Sequence, residues 1–129
     1  MSKKIQIGTD IVCISRFAKS LTTGNFIQKI YHVKEIEYCE QKALKARIAS
    51  YAARFAAKEA FAKALGTGLY VQGIVPSHIW VENEESGRPI LYFSDSLTKV
   101  LNDKGFFSVD VSLSHHEEYA VATVILYSL

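Results

Sequence analysis

The chain has 129 residues, of which 49% are hydrophobic and 22% charged, and its formal net charge is +2. This ordinary globular balance excludes a disordered, fibrous or collagen-like chain, and so small a net charge argues against nucleic acid as a partner. The length suits a single compact domain over residues 1–129 that needs no disulfide or metal staple, and no segment reaches the roughly 18 uninterrupted apolar residues of a membrane helix.

Residues 4–14 put Ile5, Ile7, Thr9, Ile11 and Cys13 on one face and Gln6, Gly8, Asp10 and Val12 on the other, which predicts a strand. Gln6 and Asp10 also break the early apolar run too soon for a secretory signal, so the chain reads as cytoplasmic. Ser15 is placed to cap a helix, and residues 15–46 read as two or three short helices broken near Thr22-Thr23-Gly24-Asn25 and near His32. Residues 11–34 carry Arg16, Lys19, Lys29 and Lys34 and no carboxylate, a face suited to an acidic partner or to phosphates. Cys13 and Cys39 have no Cys-x-x-Cys or Cys/His cluster around them, so neither a disulfide nor a zinc site is expected.

A longer alanine-rich helix is predicted for Arg47 to Leu65, closed by Gly66-Thr67-Gly68, where glycine supplies the left-handed conformation that ends helices. Strands near 78–83 and 89–93 flank a turn containing Gly87-Arg88-Pro89. A helix near 94–104 and strands near 107–114 and 119–127 complete the chain. This is an α+β order, with the helices of the first half packed on an antiparallel sheet. The last strand is apolar on both faces, so each face needs a cover from this chain or from another.

Three stretches carry chemistry. On the long helix, Phe55, Glu59 and Lys63 share a face with Ala52, Ala56 and Ala62, while Arg54 and Lys58 stack at i and i+4, a like-charge contact that a bound anion would relieve. The same pattern suits an amphipathic helix with a solvated charged edge. Asp10 interrupts an Ile/Val-rich strand, where an unpaired buried carboxylate costs several kcal/mol, so a metal, a cation or solvent has to meet it. Gly8, on the same strand face, is expected to leave open space beside it. His115 ends a strand in Ser112-Leu113-Ser114-His115, where it can reach a phosphate or a substrate hydroxyl, or stand as an ordinary surface histidine.

Taken together, Ile7-Gly8-Thr9-Asp10-Ile11-Val12 with Arg16-Phe17, the run from Arg54 to Gly68, and Ser112-Leu113-Ser114-His115 with Tyr119-Ala120 resemble the three motifs of the holo-(acyl-carrier-protein) synthases, the short group of the 4'-phosphopantetheinyl transferases. Two positions depart from that pattern: Asp110, where relatives often carry histidine, and Ser86 before Gly87-Arg88-Pro89, where they often carry asparagine.

The resemblance implies transfer of 4'-phosphopantetheine from coenzyme A to a serine of apo acyl carrier protein, in support of fatty acid biosynthesis. It implies Mg2+ held by Asp10 and Glu59, coenzyme A lying across the second motif, and a homotrimer with active sites between subunits. Magnesium suits the chemistry, since it takes one or two carboxylates and fills its other positions with phosphate oxygens and water. On this reading Lys63 neutralises the diphosphate, Arg54 and Lys58 hold other phosphate oxygens, and the amides of Gly66 and Thr67 offer further donors. Gly87, Arg88, Pro89 and His115 reach the adenine end and its phosphates, and Arg16 and Lys19 dock the acidic carrier protein. The general base is open among Glu59, Lys63 and His115. A non-catalytic coenzyme A or nucleotide binding module would keep Arg54, Lys58 and the glycine turn but has no need of Asp10 together with Glu59. A structural domain with a basic docking face explains only Arg16 to Lys34.

Overall fold

The structure is a computed structural model and describes residues 3–128. Strand β1 (Lys4–Cys13) leads into three short helices, α1 (Ile14–Leu21), α2 (Phe26–Ile30) and α3 (Val33–Glu40), and then the long α4 (Leu44–Leu65). A 3-10 turn at Pro76–His78 precedes the hairpin β2 (Ile79–Asn83) and β3 (Pro89–Phe93). Helix α5 (Asp95–Asp103) and the hairpin β4 (Ser108–His116) and β5 (Tyr119–Ser128) follow. The expected α+β architecture is present, but its strands form two antiparallel sheets, β1-β5-β4 and β2-β3, rather than one.

The ends of the long elements follow local chemistry. Gly66 terminates α4 in the left-handed region with φ 89°, and its amide and that of Thr67 return to the carbonyls of Lys63 and Ala62. Ser94 caps α5 by accepting from the Leu97 amide. Ser15 does not cap α1: the cap position is Cys13, and the Ser15 hydroxyl instead meets Glu118 across the turn that joins β4 to β5.

β5 lies between the first strand and β4, and its inward residues Ala120, Ala122, Val124 and Leu126 are completely buried beneath α4. α4 is no surface helix with one wet edge. Ala52, Ala53, Ala56, Ala57, Ala60, Ala62 and Ala64 are all buried around its circumference, so it is the central rod on which both apolar clusters assemble. Among the described residues nothing covers the opposite face of the three-stranded sheet, and Ile5, Ile7 and Ile11 stand 61%, 65% and 62% exposed there.

Candidate active site

β1 and α4 approach each other closely at Gly8. A Cβ placed on Gly8 would lie 2.1 Å from the carbonyl oxygen of Ala60 and 2.5 Å from the amide nitrogen of Ala64. Gly8 therefore does not leave the open space beside Asp10 that its sequence context suggested. The helix backbone itself takes that space, and only glycine allows it. The consequence is chemical, because Glu59 and Lys63 flank this contact on α4 and Asp10 is two residues along β1.

Lys63 Nζ donates to the Thr9 carbonyl at 3.0 Å and to Asp10 Oδ1 at 3.1 Å, while more than half of its side chain stays open to water. Asp10 and Glu59 line one open groove of about 520 Å³ together with Arg16, Phe17, Ser20 and Phe55. The Phe17 and Phe55 rings, 5.2 Å apart, close one wall. Burial first and the Asp10 charge second push the Glu59 carboxyl above the usual carboxylate range, with Lys63 opposing them.

That direction has a sign that can be read in solution. A carboxyl whose folded pKa lies above its unfolded one supports the fold while protonated, and this support is lost as pH rises through the folded value. In metal-free protein, Glu59→Gln is therefore expected to raise Tm at neutral pH, and the gain should vanish below about pH 4.3, the ordinary glutamate value. Thermal unfolding with a chelator present measures it; a lower Tm for Glu59→Gln at neutral pH would contradict the strained carboxylate.

Among the described residues, no cluster of three or more His, Cys, Asp or Glu has metal-binding geometry. A closed protein cage is thus not what Asp10 and Glu59 offer. Two carboxylates at the edge of one open groove fit a hard divalent cation that keeps water and phosphate oxygens as its remaining ligands.

A second groove, about 300 Å³, collects Arg54, Gly87, Pro89 and His115. Arg54 is 3% exposed, donates to Asn83 Oδ1 at 2.6 Å and Ser50 Oγ at 2.9 Å, and stacks over Tyr38 at 4.2 Å, which leaves its buried Nε without a partner. Asn83 in turn donates to the Gly87 carbonyl at 3.0 Å and so ties the hairpin turn to the guanidinium. Ser50, Tyr38, Lys42 and Asn83 carry no motif signal, and only contact with Arg54 or the groove marks them. Arg88 turns away to Glu84 and to Asp110, which also accepts from the Tyr127 hydroxyl. None of the residues of this second groove lines the Asp10–Glu59 groove, so within one chain His115 is not brought to the paired carboxylates.

Two sequence expectations are corrected. Lys58 was assigned to phosphate, but it is completely buried, and its three N–H donors meet Glu35 Oε1 at 2.7 Å, the Pro76 carbonyl at 3.0 Å and the Ile79 carbonyl. The Arg54–Lys58 repulsion is thus relieved by a protein carboxylate, which i,i+4 spacing cannot reveal. The amides of Gly66 and Thr67 are likewise consumed in ending α4 and are not free for an anion, while the Thr67 hydroxyl is buried without a partner. Of the basic stretch, Arg16 and Lys19 are exposed on α1, with Arg16 in the groove wall, whereas Lys34 pairs with Glu82 at 3.5 Å.

Comparison with known proteins places this geometry. The chain is 43% identical over 124 residues to the holo-[acyl-carrier-protein] synthase of Syntrophus aciditrophicus, spanning 95% of this chain and 94% of that relative. It is 42% identical over 120 residues to the synthase of Treponema denticola, spanning 93% and 95%. Among solved structures, the holo-[acyl-carrier-protein] synthase of Neisseria meningitidis superposes with a TM-score of 0.84 at 33% identity, covering 94% of this chain and 96% of that one. The Bacillus anthracis synthase, solved in complex with CoA (3',5'-ADP), gives 0.83 at 33% identity over 99% and 100%. The description of the 4'-phosphopantetheinyl transferase superfamily matches residues 6–124, a span that holds both grooves, and the chain belongs to that superfamily.

Proposed function

We infer that this protein transfers the 4'-phosphopantetheine group from coenzyme A to a serine hydroxyl of an apo acyl carrier protein, releasing adenosine 3',5'-bisphosphate. The observation that carries the reading is the pairing of Asp10 and Glu59 in one groove, where the charge of one raises the proton affinity of the other. Lys63 pairs with Asp10, and the Glu59 carboxylate has no ion-pair partner among the described residues, which suits a divalent cation accompanying an anionic diphosphate. A coenzyme A binding module has no use for such a pair.

Asp10 and Glu59 are the residues that would hold Mg2+. When bound, the ion supplies charge neutralisation at the diphosphate oxygens on which negative charge accumulates during transfer. Lys63, anchored by Asp10 and the Thr9 carbonyl, keeps its ammonium at the groove mouth, where it can donate to a non-bridging oxygen and stabilise the leaving bisphosphate. Glu59 also stands as the base for the incoming serine, taking its proton through a water in the groove. Phe17 and Phe55 exclude water from one side.

Arg54, with an unpartnered Nε at the floor of the second groove, and His115 beside it suit the phosphates and purine of the nucleotide end. That groove and the carboxylate groove are separate in one chain, and the uncovered apolar sheet face with Ile5, Ile7 and Ile11 supplies an interface through which a neighbouring copy can join them. Both observations support active sites between subunits, and the resemblance to the short phosphopantetheinyl transferases makes that assembly a homotrimer. Arg16 and Lys19 line the approach on α1 and would steer an acidic carrier protein, chiefly by speeding encounter and fixing orientation. No described helix is long and apolar enough to cross a membrane, and with an intracellular cofactor as substrate we place the protein in the cytoplasm, serving fatty acid biosynthesis.

Incubation with coenzyme A, Mg2+ and an apo carrier protein is expected to add one phosphopantetheine to the carrier, read by mass spectrometry, and a chelator should stop the gain. An unmodified carrier under these conditions defeats the reading.

A further inference from the structure

α4 has to present Glu59 to Asp10, yet much of its own buried surface near Glu59 is alanine, at Ala56, Ala57, Ala60 and Ala62. Alanine ridges are shallow, so their packing resists rotation or sliding of the rod only weakly. A shift by one residue along a helix is about 1.5 Å of rise and 100° of rotation, enough to take the Glu59 carboxylate off the groove. The Gly8 contact limits how near α4 comes to β1, but a smooth notch against two backbone atoms does not by itself define the angle about the axis.

Lys58 meets that need. It is the residue before Glu59, it faces away from β1, and its polar cluster holds α4 on another side from the bonds of Lys63 to Thr9 and Asp10. Its ammonium makes three hydrogen bonds, to Glu35 and to the carbonyls of Pro76 and Ile79, and lies 5.4 Å from the centre of the Tyr31 ring. Glu35 is equally saturated: Oε1 also accepts from the His32 amide at 3.1 Å, and Oε2 accepts from the Val81 amide at 2.9 Å. Both side chains are completely buried. A buried ion pair is no more stabilising than a well-packed apolar pair of the same volume, so its presence calls for a different account, and orientation is what an apolar pair cannot supply. The cluster ties one angular position of α4 to the start of α3, the 3-10 turn and β2 at once.

We propose that the buried Lys58–Glu35 pair is a positioning device for the metal site: it fixes the rotation and register of α4 so that Glu59 meets Asp10. The proposal rests on the metal reading above. Neither residue touches metal or substrate, and their effect passes through the helix alone.

The test is Mn2+ binding, followed by electron paramagnetic resonance with saturating coenzyme A, at a temperature where circular dichroism shows each variant folded. Lys58→Met should weaken Mn2+ binding about tenfold, the usual effect of losing a group that orients a ligand. Glu35→Gln, on a different element and with its shape kept, should weaken it as well, by less than Lys58→Met. Leu101→Ala, a core cavity in α5 remote from the cluster, should lower Tm yet leave Mn2+ affinity unchanged. Wild-type affinity in folded Lys58→Met, or an equal loss in Leu101→Ala, overturns the positioning role. So does failure of both pair variants to fold at 5 °C, since the pair would then be a folding requirement instead. If the unsubstituted protein binds no Mn2+, or Glu59→Ala binds it undiminished, the metal reading itself has failed.

Discussion

Glu59→Ala is expected to cut phosphopantetheine transfer by about a thousandfold or more, which is a loss of roughly 4 kcal/mol of transition-state stabilisation. Two things disappear with the carboxylate: half of the protein's contribution to holding the cation, and the group that takes the serine proton through a water. The fold should survive, because Glu59 stands at the groove and forms no hydrogen bond that the packing depends on. Removing it also relieves the repulsion with Asp10, so the metal-free variant should melt no lower than the unsubstituted protein. The measurement pairs carrier mass gain with a thermal melt. Near-normal turnover in a folded Glu59→Ala variant would refute the assignment of both metal and base.

Gly8→Ala is expected to have the larger effect on stability. One methyl group at this position would stand 2.1 Å from a carbonyl oxygen and 2.5 Å from an amide nitrogen, and both are backbone atoms of a helix that cannot rotate aside as a side chain would. Relief requires α4 to lift from β1, which opens the contact between the helix and the three-stranded sheet, including the cover over Ala122 and Val124. Overpacking of a well-filled interior ordinarily costs 1–3 kcal/mol, and a clash with rigid backbone lies at or beyond the top of that range, about 3 kcal/mol or more. Any folded fraction should also have lost most transfer, because lifting α4 carries Glu59 and Lys63 away from Asp10. Chemical denaturation and the transfer assay on the same preparation check both parts. A Gly8→Ala protein with unchanged denaturation midpoint and activity would show that the contact is not what sets the site.

Most of the secondary structure was legible from periodicity and caps. Strand β1 follows from its alternation, and α4 from its alanine-rich run and the Gly66 stop, although the helix begins at Leu44 rather than Arg47. Nothing at its start announces this earlier turn, since Ala43 makes no side-chain cap. The expected breaks near Thr22 and His32 fall between the short helices as anticipated. His32 and Glu35 form a capping box at the start of α3, a spacing visible in the sequence. What that spacing does not reveal is that the same Glu35 carboxylate also neutralises a lysine 23 residues away.

The two lysines of α4 mark the boundary between what the chain states locally and what the fold adds. Lys58 and Lys63 have the same chemistry, lie on the same helix, and each follow an alanine, so the local sequence assigns both to phosphate. In the folded protein one is sealed with three oxygens around it, and the other reaches water at the edge of the groove. Helix geometry decides only the angle between them. Which angle faces a neighbour and which faces solvent depends on elements far along the chain: β1 on one side, and α3 with the Pro76–His78 turn on the other. Local patterns settle element type because hydrogen bonding and steric preference act over a few residues. The fate of a buried charge is settled by whichever distant partner can satisfy its donors, and no short window of sequence contains that information.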